Sequence, residues 1–294
     1  MDGRHELVRV TTSDRLRLDG LWSQRSAAVR GVVVLLHGVG GNFYSSPLLD
    51  AFADALLDSD WAVLRANTRG HDLVSLAHVG GRMRYEGAAF ETVARSTRDL
   101  AAWTELGRAR VGRTVWLGHS LGAIKSLYAA VHAPEAGPDL VMALSPPRLS
   151  YSAFAGGSSR ESFLEDYRRA REAVVAGRSR EIMAIRFPFP LLLTPATFLD
   201  KYGPEERYNI ERFVMRLTVP SLLVYGALEL QEGPAFEGLV ESLRGLDYEG
   251  PRPALQVISG ADHFYTDRYA EVVRAVVAWL DDDAHANPAA RTAD

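Results

Sequence analysis

The chain has 294 residues, 47% hydrophobic and 24% charged, with a net charge of −4, which gives one large domain or two small ones an ample core. The mild acidity and the lack of any basic block argue against nucleic acid and anionic membrane surfaces as partners. With no cysteine, disulfides, thiolate nucleophiles and cysteine-bound zinc are excluded.

Met1 to Val10 mixes charged and apolar residues and shows no signal-peptide core. The longest early apolar run, Val32 to Leu36, is too short to span a bilayer, so a cytoplasmic protein is expected. Leu7 to Val10 and Leu16 to Trp22 read as an opening hairpin turning at Ser13-Asp14. Gly31 to Leu36 is a β-branched and leucine run suited to a strand buried on both faces, and it ends in His37-Gly38-Val39-Gly40-Gly41-Asn42. A helix over Pro47 to Asp58 places Leu48, Leu49, Phe52 and Leu56 on one face. The strand Trp61 to Ala66 ends in Asn67-Thr68-Arg69-Gly70-His71-Asp72, and a helix is predicted over Phe90 to Leu106. Next come a strand at Val115 to Leu117, a helix from Leu121 to Val131 and a strand at Leu140 to Leu144. Strands at Ser221 to Tyr225 and Ala254 to Ile258 alternate with helices at Pro234 to Arg244 and Arg268 to Leu280.

This alternation predicts an α/β fold, a mainly parallel sheet with helices on both faces. Residues 149–218 break it: a glycine-serine start, a charged helix from Arg160 to Ala176, then the apolar, proline-punctuated Phe187 to Leu193. That length exceeds what a connection needs, so it reads as an inserted cap on a core formed by residues 1–148 and 219–282. The final stretch, 283–294, lacks periodicity and is expected to be disordered.

Gly118-His119-Ser120-Leu121-Gly122 sits between a strand and a helix and has the G-x-S-x-G pattern of a nucleophile elbow. Side chains at Gly118 and Gly122 would meet the neighbouring strand and helix. Ser120 would project from the strand's carboxyl end, and the Leu121 N–H at the helix start could face a developing oxyanion.

An exposed serine needs a base, and in the order Ser, acid, His that base follows Ser120. Of His132, His263 and His285, the first points away along the elbow helix and the last lies in the tail. His263 follows the last strand, at the sheet edge where open α/β folds bind ligands. Glu229 is the first carboxylate beyond the preceding strand, with Glu232 as competitor; Asp262 adjoins His263, but neighbouring side chains diverge. The glycine-rich loop after the early strand supplies the second oxyanion donor, the Val39 N–H, while the His37 side chain is expected to bond loops under the site. Candidate substrate contacts are Asn42, Phe43, His119 and the cap aromatics Phe154, Phe187, Phe189, Tyr202 and Tyr208.

The loop His37 to Gly41, the Asn67 to Asp72 turn, the Ser120 pentapeptide, Gly226-Ala227-Leu228-Glu229 and Gly260-Ala261-Asp262-His263 together resemble the α/β-hydrolase superfamily of lid-bearing serine hydrolases. The likeness spans the core from about residue 30 to 280 and leaves out the cap. Tyr202-Gly203 and Tyr208-Asn209 in the cap are similar to siderophore-esterase-like members. Many members have Asp where this chain has Glu229, and many have a different pattern at Arg69-Gly70-His71-Asp72.

The expectation is a serine hydrolase that cleaves a small-molecule carboxylic ester or lactone, bulky and largely apolar, through an acyl-enzyme, with no metal and no other cofactor. Amidase, thioesterase or acyltransferase chemistry on the same three residues is the alternative. From outside enzymology comes a non-catalytic ligand receptor, and a metal site of His37, His71 and His78 is the remaining rival.

Overall fold

A computed structural model describes residues 4–282, so the expected disordered tail lies outside the described residues. The chain begins with β1 (Arg4–Thr11), β2 (Arg17–Gln24), β3 (Val32–Leu36), helix α1 (Pro47–Asp58) and β4 (Ala62–Ala66). A small hairpin of β5 (Ser75–Val79) and β6 (Arg82–Glu86) follows, then α2 (Thr97–Val111), β7 (Thr114–His119), α3 (Leu121–His132) and β8 (Leu140–Leu144). The inserted segment holds α4 (Tyr151–Gly156), α5 (Arg160–Val175), a second hairpin of β9 (Met183–Ile185) and β10 (Leu191–Leu193), and α6 (Pro195–Tyr202). The chain returns through β11 (Ser221–Gly226), α7 (Leu239–Gly245), β12 (Ala254–Ile258) and α8 (Tyr269–Asp281).

The main sheet runs β1-β2-β4-β3-β7-β8-β11-β12. The first three strands pair antiparallel, and the pairings from β4 to β12 are parallel. All five residues of β3 are buried because the strand divides them between two cores. Val32, Val34 and Leu36 join the layer with α2, α3, α7 and the inserted segment. Val33 and Leu35 join the layer with α1 and α8. Period-two alternation under two apolar layers is why this strand reads as a continuous hydrophobic run.

Helix α1 shows how local chemistry sets an element. The Ser46 side chain accepts from the Leu49 N–H, Pro47 fits the first turn, and six apolar side chains on one face are buried. Each leucine or phenylalanine so buried is worth roughly 1.5–3 kcal/mol, which outweighs the helix's propensity term.

Two predicted helices differ and one hairpin is new. The Phe90 to Leu106 helix is a 3-10 turn over Val93–Ser96 followed by α2, and the helix predicted from Pro234 starts at Leu239. The β5–β6 hairpin was not predicted, since its outward face carries Leu76, His78, Met83 and Tyr85 where alternation would place polar residues. Among the described residues no helix is long and apolar enough to cross a membrane.

Candidate active site

Strand β7 delivers Ser120 at its carboxyl end, and α3 starts one residue later. Ser120 has φ 56° and ψ −120°, a conformation that costs a non-glycine residue about 1–3 kcal/mol. The two glycines make it possible. A Cβ at Gly118 would lie 2.4 Å from the Gly122 carbonyl, and one at Gly122 would lie 2.5 Å from the Leu36 and His37 oxygens. Only bare backbone permits strand, turn and helix to approach this closely.

The loops after β11 and β12 are zipped together. Ala227 N–H donates to Ile258 O and Leu228 N–H to Ala261 O, both at 2.9 Å. A Cβ at Gly226 would stand 2.4 Å from Ala261 O, so this glycine lets the loops close. The contact brings Glu229 Oε2 to 2.7 Å from His263 Nδ1. On the other side of the ring, His263 Nε2 stands 3.0 Å from Ser120 Oγ. Residues 120, 229 and 263 thus converge from three strand ends, while Glu232 is exposed and Asp262 instead accepts the N–H groups of Phe264 and Thr266.

Glu229 is fully buried, and its second oxygen is occupied too. Oε1 accepts the Gly226 N–H and the Ser145 hydroxyl, each at 2.7 Å. Ser145 lies at the end of β8 with φ 50°, and its Oγ is 2.9 Å from the Tyr265 hydroxyl. Burial first, and the Glu229 carboxylate second, push the Tyr265 hydroxyl well above the ordinary tyrosine range, so it stays a donor. Sequence reasoning missed Ser145 and Tyr265; the placement of Ser145 just after a buried strand was the only available signal.

Aromatic rings wall in His263: His119 at 5.1 Å, Phe236 at 5.3 Å and Phe264 at 5.1 Å between centroids. Burial lowers the His119 ring to about 3, and its Nε2–H donates to the His263 carbonyl at 2.8 Å. His119 therefore acts as a neutral brace on the His263 loop.

Across from Ser120, the loop after β3 brings Gly38 close: a Cβ there would lie 3.3 Å from Ser120 Cβ. Among the described residues, the N–H groups of Val39 and Leu121 donate to no protein acceptor. Next along this loop, Asn42 is buried, its Nδ2 donating to Asp72 Oδ1 and its Oδ1 accepting the Tyr44 N–H. Phe43 is half-buried and held through its N–H by Asn67 Oδ1.

The turn at 69–72, a departure from the family pattern, has structural work. Arg69 is fully buried between Asp99 and Asp14, and Asp72 accepts from His71 Nδ1 as well as from Asn42. His37 bonds Thr68 and the Gly38 carbonyl, and among the described residues no group of three or more His, Asp or Glu side chains is placed to hold a metal ion.

Four of the five cap aromatics expected to contact substrate are buried. Phe154 and Tyr208 are 0% exposed, and Phe187 and Tyr202 nearly so. Phe154, Phe163, Phe187, Phe198 and Tyr202 pack ring on ring. Tyr208 donates to Asp200 and accepts the Ala94 N–H. Phe154, Phe187 and Tyr202 bury their rings against one another, since large apolar side chains gain most from close packing. Phe189 alone of the five is exposed.

Comparison with known proteins agrees with this architecture. The model of the alpha/beta hydrolase family matches residues 33–292, and the chain belongs to that family. No curated protein sequence matches it. Among solved structures it is similar to Est1E from Butyrivibrio proteoclasticus with ferulic acid bound, at 19% identity over 92% of this chain and 97% of that one, TM-score 0.62. It is also similar to the Pyrococcus furiosus esterase Pf2001, at 18% identity over 95% and 91%, TM-score 0.59. The alpha/beta hydrolase GrgF from Penicillium sp. sh18 matches at 14% identity over 95% and 97%, TM-score 0.66. At these identities the likeness is one of fold.

Proposed function

We propose that this α/β hydrolase is a serine-dependent carboxylic ester hydrolase working through an acyl-enzyme. The observation that carries the reading is the unbroken chain from Ser120 Oγ through the His263 ring to Glu229, with 3.0 Å and 2.7 Å links. One of the similar folds is that of an esterase, Pf2001, which supports ester over amide chemistry.

Ser120 Oγ attacks the ester carbonyl while His263 Nε2 takes its proton. The carbonyl π pair moves to oxygen, and the N–H groups of Val39 and Leu121 receive that oxyanion. As the carbonyl reforms, the C–O bond to the alcohol breaks and His263 returns the proton to the leaving alkoxide. Water, deprotonated by the same ring, then attacks the acyl-enzyme, and the acid leaves as Ser120 regains its proton. Glu229 holds Nδ1–H toward itself throughout, so Nε2 is the free base and the imidazolium is stabilised. The substrate is a small-molecule ester or lactone whose apolar part meets Phe264, an exposed ring 5.1 Å from His263, and the half-buried Phe43 that follows the glycine loop.

Fluorophosphonate labelling with mass mapping tests the reading, alongside a panel of esters, lactones, thioesters and amides. Modification at Ser120 with ester turnover is expected. An unlabelled Ser120 and no turnover would mark the site as a receptor, and labelling with thioester or amide turnover alone would move the leaving group.

A further inference from the structure

Beneath the glycine loop lies a buried run of donors whose direction is forced at every link. Lys125, in the second turn of α3, is fully buried, with Nζ 2.7 Å from Glu91 Oε2. Lys201 of α6 meets the other Glu91 oxygen at 3.2 Å. Burial would raise the Glu91 carboxyl, but the two ammonium groups pull it down to about 2, so it remains an anion between two cations. Thus clamped, Lys125 Nζ donates to Thr68 Oγ1 at 2.9 Å.

An ammonium can only donate, so Thr68 Oγ1 accepts there and spends its own proton elsewhere. His37 Nε2 lies 3.2 Å away. The Thr68 backbone N–H, which also can only donate, points at the same Nε2 at 3.2 Å. Two donors on Nε2 make it the unprotonated nitrogen of His37. Burial, and after it the Lys125 ammonium, lowers this ring to about 3, so it does not take a second proton. The single ring proton is then on Nδ1, and it is donated to the Gly38 carbonyl at 2.8 Å. Gly41 N–H reaches the same carbonyl at 3.3 Å.

The Gly38 carbonyl and the Val39 N–H belong to one trans peptide and point in opposite directions. Holding the carbonyl down toward His37 turns that N–H the other way. We propose that Lys125 and Thr68 are positioning residues for the Val39 N–H: acting through His37, they hold the Gly38–Val39 peptide in the one orientation that presents this donor to the oxyanion. The inference rests on the serine-hydrolase reading above. It adds that the oxyanion donor is set from below by a charge on the nucleophile's own helix, anchored by a cap lysine.

The test combines kinetics with the histidine tautomer. Long-range proton–nitrogen NMR on the intact wild-type protein is expected to show His37 protonated at Nδ1; an Nε2–H tautomer overturns the relay. Thr68→Val keeps the shape and removes the hydroxyl. It is expected to lower kcat about tenfold or more, short of the ~10²–10³ lost with a whole oxyanion donor, with KM little changed. Thr68→Ser is expected to restore most of that loss, which a packing role for the methyl group would not do. Wild-type kcat in Thr68→Val, with Ser120→Ala inert, overturns this inference alone. Full turnover in Ser120→Ala overturns the serine reading and the relay's role with it.

Discussion

The Ser145 hydroxyl donates to Glu229 Oε1 at 2.7 Å, from 84 residues away in the chain. Together with the Gly226 N–H it fills the face of the carboxylate that His263 leaves free. A fully buried carboxylate is expensive unless such donors surround it, so Ser145 belongs to the device that keeps Glu229 aimed.

Ser145→Ala should therefore destabilise the fold by about 1–3 kcal/mol, the usual penalty for an orphaned buried acceptor. Activity should fall less than in Glu229→Gln, because the Gly226 N–H remains. Denaturant unfolding and kcat measured on the same preparation check this; an unchanged midpoint would make the hydrogen bond idle.

Ser120→Ala should remove fluorophosphonate labelling and lower kcat by about 10⁶, the loss seen when a triad nucleophile is deleted. Melting should stay close to wild type, since the elbow backbone is held by its glycines. Retained labelling in the variant would point to a different nucleophile.

Glu229→Gln should cost about 10⁴ in kcat, since the amide cannot stabilise the imidazolium and favours the wrong tautomer. Glu232→Gln should leave kcat unchanged, because Glu232 is exposed and stands outside the His263 contacts. The reverse pattern would reassign the acid.

Acid should unfold this protein through its neutral buried histidines. His37 and His119 lie near 3 when folded against an ordinary 6.5, so the unfolded chain binds more protons between those values. Stability therefore rises with pH across that window and is lost as pH falls through it. Glu91, near 2 against 4.5, adds a loss of the same sign below its unfolded value. Urea midpoints measured from about pH 7 down to about pH 4 should fall steadily; a flat series contradicts the buried neutral rings.

Phe187→Ala should behave as a core deletion, costing about 3–5 kcal/mol, with the preference among acetate, butyrate and octanoate esters unchanged. Phe264→Ala should do the opposite: its ring is 62% exposed and lies on His263, so melting holds while the chain-length preference moves. Equal effects on both properties in either variant would contradict this division.

The sequence by itself determined whatever depends on neighbours along the chain. The β-branched run at Val32–Leu36 needs burial on both faces, and the period of Pro47–Asp58 allows only a helix. The spacing of Gly118, Ser120 and Gly122 permits one sharp turn, and each strand end after it offers few titratable side chains, which is why Glu229 and His263 were legible. Tertiary structure decided what depends on convergence across the chain. Ser145 and Tyr265 meet Glu229 only once β8, β11 and β12 lie side by side. Glu91, Lys125 and Lys201 carry no local pattern, yet packing brings both lysines onto the one carboxylate. The cap rings carried a helix-like apolar signal that suits a pocket wall as well as a packed interior. Composition counts apolar area, and only the packed chain says whether that area faces a ligand or another ring.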